Sequence, residues 1–272
     1  MQPLTRQHVS PLTATDFEIV RGLARNSCGI NLHEGKKALV STRLERLVRR
    51  HGFESFTDYI RYVAQRREGD VFTEFIDTLT TNHSGFWREP EHFTFLQQTV
   101  FQTHRQRVRI WSSACATGEE PYTIAMCALE SNVQSCTINA SDISRSALAT
   151  AMRGEYEDAK TAALPAGWAD RYFRHEPDSP SGFRTVTSAV RSLVGFAPVN
   201  LLEPFAHVGQ FDVVFCRNVM IYFDQTTRDH LVNGLLARLN LGGYLFTGHS
   251  ETLIRLPRGL EYVQPATYRK VA

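Results

Sequence analysis

The hydrophobic pattern of the sequence changes near Arg107, and this change restricts the possible fold more than any other feature. From Thr15 to about Leu79, apolar residues recur at helical spacing, and no alternating strand pattern interrupts them. After Arg107, short apolar runs typical of strands alternate with segments of helical spacing. Such alternation indicates a mostly parallel, doubly wound sheet. The sequence therefore predicts an all-α unit followed by an α/β unit.

Domain boundaries follow from the same pattern. We expect a helical N-terminal domain over residues 1–79, a linker over 80–95 and an α/β domain over 96–272. One region of the α/β domain departs from the alternation, because three short apolar runs follow one another between turn-rich stretches: Tyr172–Phe173, Phe183–Val186 and Leu193–Ala197. These runs predict a small three-stranded antiparallel insert at about 171–199, whose edge strands could accept an added peptide strand.

Composition excludes several classes of protein. The formal charge of the 272 residues is +2, which argues against nucleic acid as the main partner. No run approaches the roughly 18 apolar residues of a membrane span, and the N-terminus lacks the apolar core of a signal peptide, so we expect a cytoplasmic protein. Five cysteines without a C-x-x-C pair indicate buried thiols. None of the ten histidines forms a metal-binding spacing, so no metal site is expected.

The small net charge hides an uneven distribution. Up to Ile110 there are 16 Lys and Arg against 12 Asp and Glu, whereas the remainder has 14 against 16. The basic excess is concentrated in Glu34–Arg50, where leucines and valines at helical spacing predict an amphipathic helix. Its basic residues are Lys36, Lys37, Arg43, Arg46, Arg49 and Arg50. Such a stripe is either a solvated face or a docking surface for an acidic partner.

The passage Ile110–Tyr122 carries the strongest chemical signal. It joins a strand to a helix, where a nucleotide-binding loop belongs, but it holds only Gly118 and then two carboxylates, Glu119 and Glu120. These carboxylates would repel a diphosphate, whereas they suit a cationic ligand. S-adenosylmethionine is a cationic adenosine cofactor without phosphate. Asp142, after the next strand, is either a ligand of its ribose hydroxyls or a cap of the following helix.

Two further clusters accompany this loop. Arg217 and Asn218 follow a buried strand directly, at the end where doubly wound sheets bind ligands. The alternatives are a structural ion pair for Arg217 and a packed aromatic role for the nearby Tyr222. A polar cluster, Thr80–Arg88, lies where the two units join and carries little signal by itself.

Taken in order, these motifs closely resemble those of the chemotaxis receptor methyltransferases, the CheR family. The matching segments are TTNHSGFWRE (80–89), ATGEEPY (116–122), SD (141–142), VNLL (199–202) and FCRNVMIYF (215–223). The resemblance implies a Rossmann-like class I methyltransferase domain, with a small all-α N-terminal domain and an inserted β subdomain. It also implies an S-adenosylmethionine site lined by Asn82, Ser84, Arg88, Glu119, Asp142, Asn200, Leu201, Arg217 and Asn218, to which the loop adds Gly118.

The reaction implied by the resemblance is methyl transfer from S-adenosylmethionine to receptor glutamates, giving glutamyl methyl esters and S-adenosylhomocysteine during sensory adaptation. A glutamate with a pKa of about 4.3 is already ionised at neutral pH, so no general base is needed. Tyr222 is the candidate for orienting the substrate carboxylate by a hydrogen bond. Arg88 could hold either that carboxylate or the carboxylate of the cofactor, and its place in the Asn82–Arg88 cluster favours the cofactor.

The resemblance also bears on partners. Receptor methylation regions are long helices rich in glutamate, which favours docking by the stripe of Lys36, Arg43, Arg46, Arg49 and Arg50. We expect a monomer that reaches the membrane only through receptors, with a receptor tail peptide as a second contact at the β subdomain. Two rivals remain, since fold alone does not give substrate: a nucleic-acid or small-molecule methyltransferase, and an adaptor that has lost catalysis.

Overall fold

Two compact units make up the chain in a computed structural model that describes residues 9–177 and 180–272. The first comprises the residues up to Thr81 together with Tyr222–Asp224, and the second comprises Asn82–Ile221 and Gln225–Ala272. The first eight residues of the expected helical domain, and Asp178 and Ser179 of the expected turn, lie outside the described residues. The boundaries proposed from the sequence, at residues 79 and 95, stay predictions.

The first unit is helical, as the sequence predicts. Its helices are α1 (Ala14–Cys28), α2 (Lys37–Arg50), α3 (Phe56–Ala64) and α4 (Asp70–Leu79), with a 3-10 turn at Glu34–Lys36. Helix α1 begins with a capping box, because Thr13 Oγ1 accepts from the Asp16 amide (3.1 Å) while the Asp16 carboxylate accepts from the Thr13 amide (3.1 Å). Leu44, Tyr59 and Phe75 are completely buried and form part of its core.

The second unit combines strands and shorter helices. Its helices are α5 (Pro90–Phe95), α6 (Phe101–Thr103), α7 (Glu119–Glu130), α8 (Arg145–Arg153), α9 (Asp158–Thr161), α10 (Trp168–Tyr172), α11 (Ser188–Arg191) and α12 (Gln225–Arg238), with a π turn at Leu96–Val100. The described strands are β1 (Val108–Ser112), β2 (Cys136–Asp142), β3 (Glu155–Glu157), β4 (Phe173–Arg174), β5 (Phe183–Val186), β6 (Val194–Pro198), β7 (Phe211–Cys216), β8 (Leu239–Thr247), β9 (Leu260–Gln264) and β10 (Thr267–Lys270).

Seven strands form the main sheet in the order β6-β2-β1-β7-β8-β10-β9. The first five are parallel, and β10 runs antiparallel to both β8 and β9. Strand order changes direction between β1 and β7, so this is a doubly wound sheet with its switch point there. The expectation of a mostly parallel, doubly wound sheet is confirmed. The sequence did not indicate β9 and β10.

The smaller sheet differs from the prediction in one strand. It is antiparallel and three-stranded, but its order is β3-β5-β4, so Glu155–Glu157 supplies the third strand. The run Leu193–Ala197, expected in this insert, instead gives β6, which pairs in parallel with β2 in the main sheet. Val194 and Phe196 pack there against the main hydrophobic core, which explains the preference. The insert at about 171–199 was therefore wrongly delimited.

Aromatic packing holds the centre of the second unit. Phe215 of β7 and Phe246 of β8 stack at 4.5 Å between ring centroids. All five cysteines are buried and unpaired, as expected, and burial raises the pKa of Cys28 to about 11. Within the residues that the structure describes, no helix has both the length and the apolar character needed to cross a membrane.

Candidate active site

Polar residues collect at the carboxyl ends of the four strands β6, β2, β1 and β7. Because these strands are parallel neighbours, their carboxyl ends share one edge of the sheet. Ligands of open α/β sheets bind at this edge, next to the switch point. The loop after β1 begins against strand β7, since the Ser113 amide donates to the Phe215 carbonyl (2.9 Å).

Asp142, at the end of β2, organises two loops at once. Its Oδ2 accepts from the Ala116 amide (2.8 Å) and its Oδ1 from the Ser144 amide (2.9 Å). Ser144 is the N-cap of α8, so Asp142 supports the start of that helix, which agrees with the capping role considered for it. It also fixes the loop after β1, and its contact with ribose hydroxyls stays a prediction. Asn82 joins the group, because its Nδ2 donates to Ser144 Oγ (3.2 Å).

Glu119 is fully buried at the beginning of α7 and already holds a cation. Its Oε1 accepts from Lys160 Nζ at 2.8 Å, and its Oε2 accepts from Thr117 Oγ1 at 2.7 Å. Lys160 belongs to α9 and is 43 % exposed, so the ion pair closes over the carboxylate from the solvent side. Sequence spacing gave no sign of this lysine, which lies 41 residues further along the chain.

Gly118 has a packing role in this loop. Its φ is +95°, and a Cβ there would lie 2.7 Å from Ala151 Cβ and 2.9 Å from the Tyr156 hydroxyl. Tyr156 in turn donates to the Thr117 carbonyl at 2.7 Å. The glycine thus lets the loop approach α8, and the cofactor contact predicted for it from the sequence stays untested.

Arg217 is the centre of a buried ion-pair network. Its Nη1 donates to Glu120 Oε2 and its Nη2 to Glu89 Oε2, both at 3.0 Å, and Nη2 also donates to the Arg88 carbonyl. The side chain is 2 % exposed. The structural ion pair considered for this residue is therefore present, and most of its donors are occupied by the protein.

Both carboxylates of the network have shifted pKa values. Burial opposes ionisation of Glu89, but the charge of Arg217 and hydrogen bonds from Asn218 and Arg217 outweigh it, so the pKa of Glu89 is lowered. For Glu120, burial is the larger effect and raises the pKa, although Arg217 and Ser112 act against it. Each of the two adjacent carboxylates has its own cationic partner, which offsets the repulsion between them. Glu119 pairs with Lys160, and Glu120 pairs with Arg217.

Glu251, which the motifs of the sequence did not single out, holds the loop after β7. Its Oε2 accepts from the amides of Asn218 and Gly248, both at 2.7 Å, and its Oε1 accepts from the Ile221 amide at 3.0 Å. The residue is 4 % exposed. Asn218 has φ +58°, and its Nδ2 donates to Glu89 Oε1 (3.2 Å), so the loop is tied at both ends.

The remaining predicted residues are placed as follows. Arg88 is half-buried, and its Nη1 donates to the His83 carbonyl (3.0 Å) in the same segment as the half-buried Ser84. Asn200 and the buried Leu201 follow β6, and the Asn200 Oδ1 accepts from the Leu202 amide (3.1 Å). Tyr222 groups with the first unit, where its carbonyl accepts from the Asn31 amide (2.9 Å).

Comparison with known proteins agrees with this site. The family model for the "CheR methyltransferase, SAM binding domain" matches residues 82–268, and that for the "CheR methyltransferase, all-alpha domain" matches residues 15–80. The chain belongs to the CheR methyltransferase family. The second unit is therefore an S-adenosylmethionine-binding domain, and the protein is an S-adenosylmethionine-dependent methyltransferase of chemotaxis.

Individual CheR relatives match over nearly their whole length. A chemotaxis protein methyltransferase of Borreliella burgdorferi is 38 % identical, over 95 % of this chain and 95 % of its own. The chemotaxis protein methyltransferase Cher2 of Pseudomonas putida is 36 % identical over 92 % of this chain and 94 % of its own. Chemotaxis protein methyltransferase 1 of Pseudomonas aeruginosa shows the same identity and coverage.

The side chains present suit the cofactor that the CheR family binds. Glu119 already accepts from an ammonium group, which shows that its buried carboxylate tolerates a cationic partner. Asp142 uses its oxygens as acceptors for backbone amides and keeps acceptor capacity for hydroxyl donors. The S-adenosylmethionine molecule carries both chemical features, a positive charge and ribose hydroxyls.

The basic stripe of this CheR-family chain is less uniform than the sequence suggests. Arg43 donates to the carbonyls of Leu79 (3.1 Å) and Thr80 (2.9 Å), so it caps α4, and its assignment to an open docking face is corrected. Arg49 pairs with Glu45 (2.7 Å), and Arg50 pairs with Glu74. Lys36 and Arg46 are exposed, with no ion pair among the described residues, and the 42 % exposed Leu39 shares their helix face.

One cluster has the composition of a metal site, although the spacing of the histidines in the sequence does not indicate it. Possible ligand atoms of Glu89, His92 and His249 lie within 4.8 Å of one another. The Glu89 carboxylate, however, already accepts from Arg217, Asn218 and the His249 amide, and the Arg217 guanidinium opposes a second cation. We therefore assign no metal to this cluster.

Proposed function

We propose that this chain transfers the methyl group of S-adenosylmethionine to glutamate side chains of methyl-accepting chemotaxis receptors, forming glutamyl methyl esters in sensory adaptation. The observation that carries the proposal is the pair of buried carboxylates, Glu119 and Asp142, tied to one loop through Thr117 and Ala116 in a CheR-family chain. Carboxylates at this edge of the sheet favour a cationic methyl donor over a diphosphate cofactor.

We propose the following roles for the residues of the cofactor site. Asp142 accepts hydrogen bonds from the ribose hydroxyls, and Glu119 stabilises positive charge, exchanging Lys160 for the ligand. The other members are Asn82, Ser84, Arg88, Asn200, Leu201 and Asn218. Arg217 and Gly118 act on the site through its shape: Arg217 fixes Glu89 and Glu120, and Gly118 allows the loop to pack on α8.

The reaction needs no general acid or general base from the protein. The bound cofactor supplies an electrophilic methyl group on a sulfonium. A carboxylate oxygen of the substrate forms the new C–O bond, the C–S bond breaks with its electrons left on sulfur, and no proton moves. The protein orients and desolvates an already ionised carboxylate, a positioning effect that contributes several kcal/mol. Tyr222 donates a hydrogen bond to this carboxylate, and Arg88 holds the carboxylate of the cofactor.

Replacing Tyr222 with phenylalanine tests this assignment. Loss of the hydroxyl should lower turnover more than the affinity for S-adenosylhomocysteine, because the hydroxyl is proposed to act on the substrate and not on the cofactor. Unchanged turnover would show that the assignment is wrong.

The proposed partner is the cytoplasmic helical region of a chemoreceptor. Lys36 and Arg46 are the exposed cations of the stripe whose charge no acid of the described residues neutralises, and they suit a helix rich in glutamate. Surface charges of this kind mainly affect association and are screened by salt.

Charge reversal tests the docking face. Lys36→Glu with Arg46→Glu should raise KM for the receptor and leave S-adenosylhomocysteine affinity unchanged. Arg67→Glu is the matched control, since Arg67 is an exposed arginine of the same unit outside this face. Equal effects of the two reversals would refute docking at α2.

The small sheet offers a second proposed contact, for a receptor tail peptide. Its edges are β3 and β4, and the central strand β5 is covered on both sides. A peptide copying a receptor tail should bind the full chain with micromolar affinity, as measured by calorimetry. No binding in that range would remove this contact from the proposal.

The proposed reaction is tested by incubating the protein with methyl-labelled S-adenosylmethionine and receptor-containing membranes, then measuring volatile methanol released by base. Calorimetry with S-adenosylhomocysteine, run in parallel, tests the adaptor alternative, because an adaptor without a cofactor site would give no heat of binding. A protein that binds S-adenosylhomocysteine but labels no receptor would contradict the proposed substrate.

A further inference from the structure

A loop of the second unit presents unusual apolar surface. The segment Thr252–Arg258 follows β8 and contains Ile254, which is 91 % exposed, and Leu256, which is 40 % exposed. An isolated exposed leucine is ordinary on a protein surface, whereas an almost fully exposed isoleucine close to a second exposed apolar side chain offers apolar surface that a partner could cover.

The same loop forms one wall of a groove. The groove encloses about 250 Å³, and its other wall comes from α12 and from Met220. Val232, Ile254 and Leu256 supply apolar surface, and the polar lining includes Arg228 and Arg255. The lining also holds Asp229 and Glu251, so the groove combines apolar contacts with charged groups of both signs.

The base of this groove is connected to the loop after β7. Glu251, which lines the groove, accepts from the Ile221 amide through its Oε1 (3.0 Å). Ile221 is itself 44 % exposed, and it directly precedes Tyr222 in the chain. A molecule lying in the groove thus contacts the segment that leads to the residue proposed to orient the substrate carboxylate.

The charge of the loop indicates what kind of partner fits. Arg255 and Arg258 are exposed, the segment Thr252–Arg258 holds no acidic residue, and neither arginine has an ion-pair partner in the described part of the chain. Asp229 is the exposed carboxylate of the lining, and its Oδ1 accepts from Gln225 Nε2 (2.7 Å). Apolar side chains flanked by unpaired arginines complement an amphipathic helix that carries glutamates beside its apolar stripe.

We propose that the groove between the loop Thr252–Arg258 and α12 binds the acidic helix that presents the methyl-accepting glutamate. This inference rests on the proposed function and adds a contact surface to it, separate from the basic residues of α2. Ile254 inserts between apolar side chains of the helix, while Arg255 pairs with its carboxylates. The surface acts in substrate recognition and takes no part in the transfer step.

Substitution of Ile254 tests the apolar contact. Ile254→Asp should raise the KM for receptor-containing membranes at least about tenfold, because it removes the apolar side chain that the bound helix would cover and adds a charge that repels an acidic helix. Affinity for S-adenosylhomocysteine should stay the same. The matched control is Leu241→Asp, since Leu241 is 72 % exposed at the beginning of β8, the end opposite to the loop. The control should leave both quantities unchanged.

Crosslinking gives a readout that does not depend on turnover. All five native cysteines are buried, so Ile254→Cys creates an exposed thiol that a photoactivatable maleimide labels selectively. Illumination with receptor-containing membranes should join the labelled position 254 to the receptor, whereas the same label at Leu241→Cys should not.

The outcomes separate this inference from the proposed function. If the wild-type protein methylates receptors but Ile254→Asp matches Leu241→Asp in KM, the groove is not a docking surface. Crosslinks from position 254 to a second copy of the chain, or to lipid alone, would overturn it equally, since they assign the apolar surface to another occupant. If the wild-type protein binds S-adenosylhomocysteine and labels no receptor, the proposed function fails and this inference fails with it.

Discussion

Replacing Arg217 with methionine should destabilise the second unit strongly, because it leaves two buried carboxylates without their cation. Glu89 and Glu120 each lie 3.0 Å from a guanidinium nitrogen, and their side chains are 14 % and 12 % exposed. At an effective dielectric constant of about 20, each such pair is worth about 5 kcal/mol before desolvation is counted. Measured losses on breaking buried pairs are about 3–5 kcal/mol, and we expect a loss in that range.

Urea unfolding followed by tryptophan fluorescence measures this loss. The three tryptophans, Trp87, Trp111 and Trp168, all belong to the second unit, so the signal reports on the unit that contains the network. A compensated variant, Glu89→Gln with Glu120→Gln and Arg217→Met, should recover most of the stability, since it removes the buried charges together.

The pH dependence gives the reasoning a second check. Without Arg217, burial raises the pKa of Glu89, which the guanidinium otherwise holds below its ordinary value. The loss of unfolding free energy caused by Arg217→Met should therefore be largest at pH 8, where both carboxylates are ionised in the unfolded chain. It should be smaller at pH 5, where the buried carboxylates of the variant take up protons. A loss below about 1 kcal/mol, or one equal at both pH values, would refute the account of Arg217 as the centre of the network.

Three further predictions concern single side chains. Asp142→Ala should weaken S-adenosylhomocysteine binding at least about tenfold in calorimetry. The substitution removes the acceptor of the Ala116 and Ser144 amides and the acceptor proposed for the ribose hydroxyls. Unchanged affinity would show that the ribose does not bind to Asp142. Glu251→Gln should cost about 1–3 kcal/mol in urea unfolding and lower turnover, since the amides of Asn218, Gly248 and Ile221 share that carboxylate; full activity would show that this support is dispensable. His92 is completely buried, and its burial, assisted by Arg217, lowers its pKa to about 3. The unfolded chain takes up this proton near pH 6.5, so folding stability falls as pH falls below that value, by about 2 kcal/mol at pH 5. His92→Leu should flatten the stability profile between pH 7 and pH 5 by that amount, and an unchanged slope would contradict the shift.

The spacing of apolar residues predicted most of the helices and strands, because that spacing depends on which face of each element is buried. The structure confirms the helices predicted for the first unit and the alternation of strands and helices predicted for the second. The pairing of short strands was less predictable. Glu155–Glu157 is short and polar, so nothing marks it as a strand, whereas Leu193–Ala197 has an apolar pattern that fits either sheet. Packing against the main core places Leu193–Ala197 in the main sheet, and a contact of this kind cannot be predicted from neighbouring residues in the sequence.

The candidate site shows the same division. The strand ends that carry Asp142 and Arg217 could be predicted from the sequence, since residues after parallel strands meet at one edge. Their partners could not be predicted, because Lys160 reaches Glu119 from 41 residues away and Glu89 reaches Arg217 from 128. The sequence likewise indicates an exposed cation at Arg43, because nothing in the local pattern shows that its guanidinium donates to carbonyls at the end of α4.

The central claim is that the methyl group ends on a glutamate carboxylate of a chemoreceptor. Mass spectrometry of receptor peptides tests it most directly, after incubation of receptor-containing membranes with S-adenosylmethionine and either the wild-type protein or the Asp142→Ala variant. The account predicts peptides heavier by one methyl group in place of one proton, with the change located on glutamate, removed by mild base, and reduced with the variant. A methyl group found on another residue type or on nucleic acid, or one equally abundant with the variant, would contradict it.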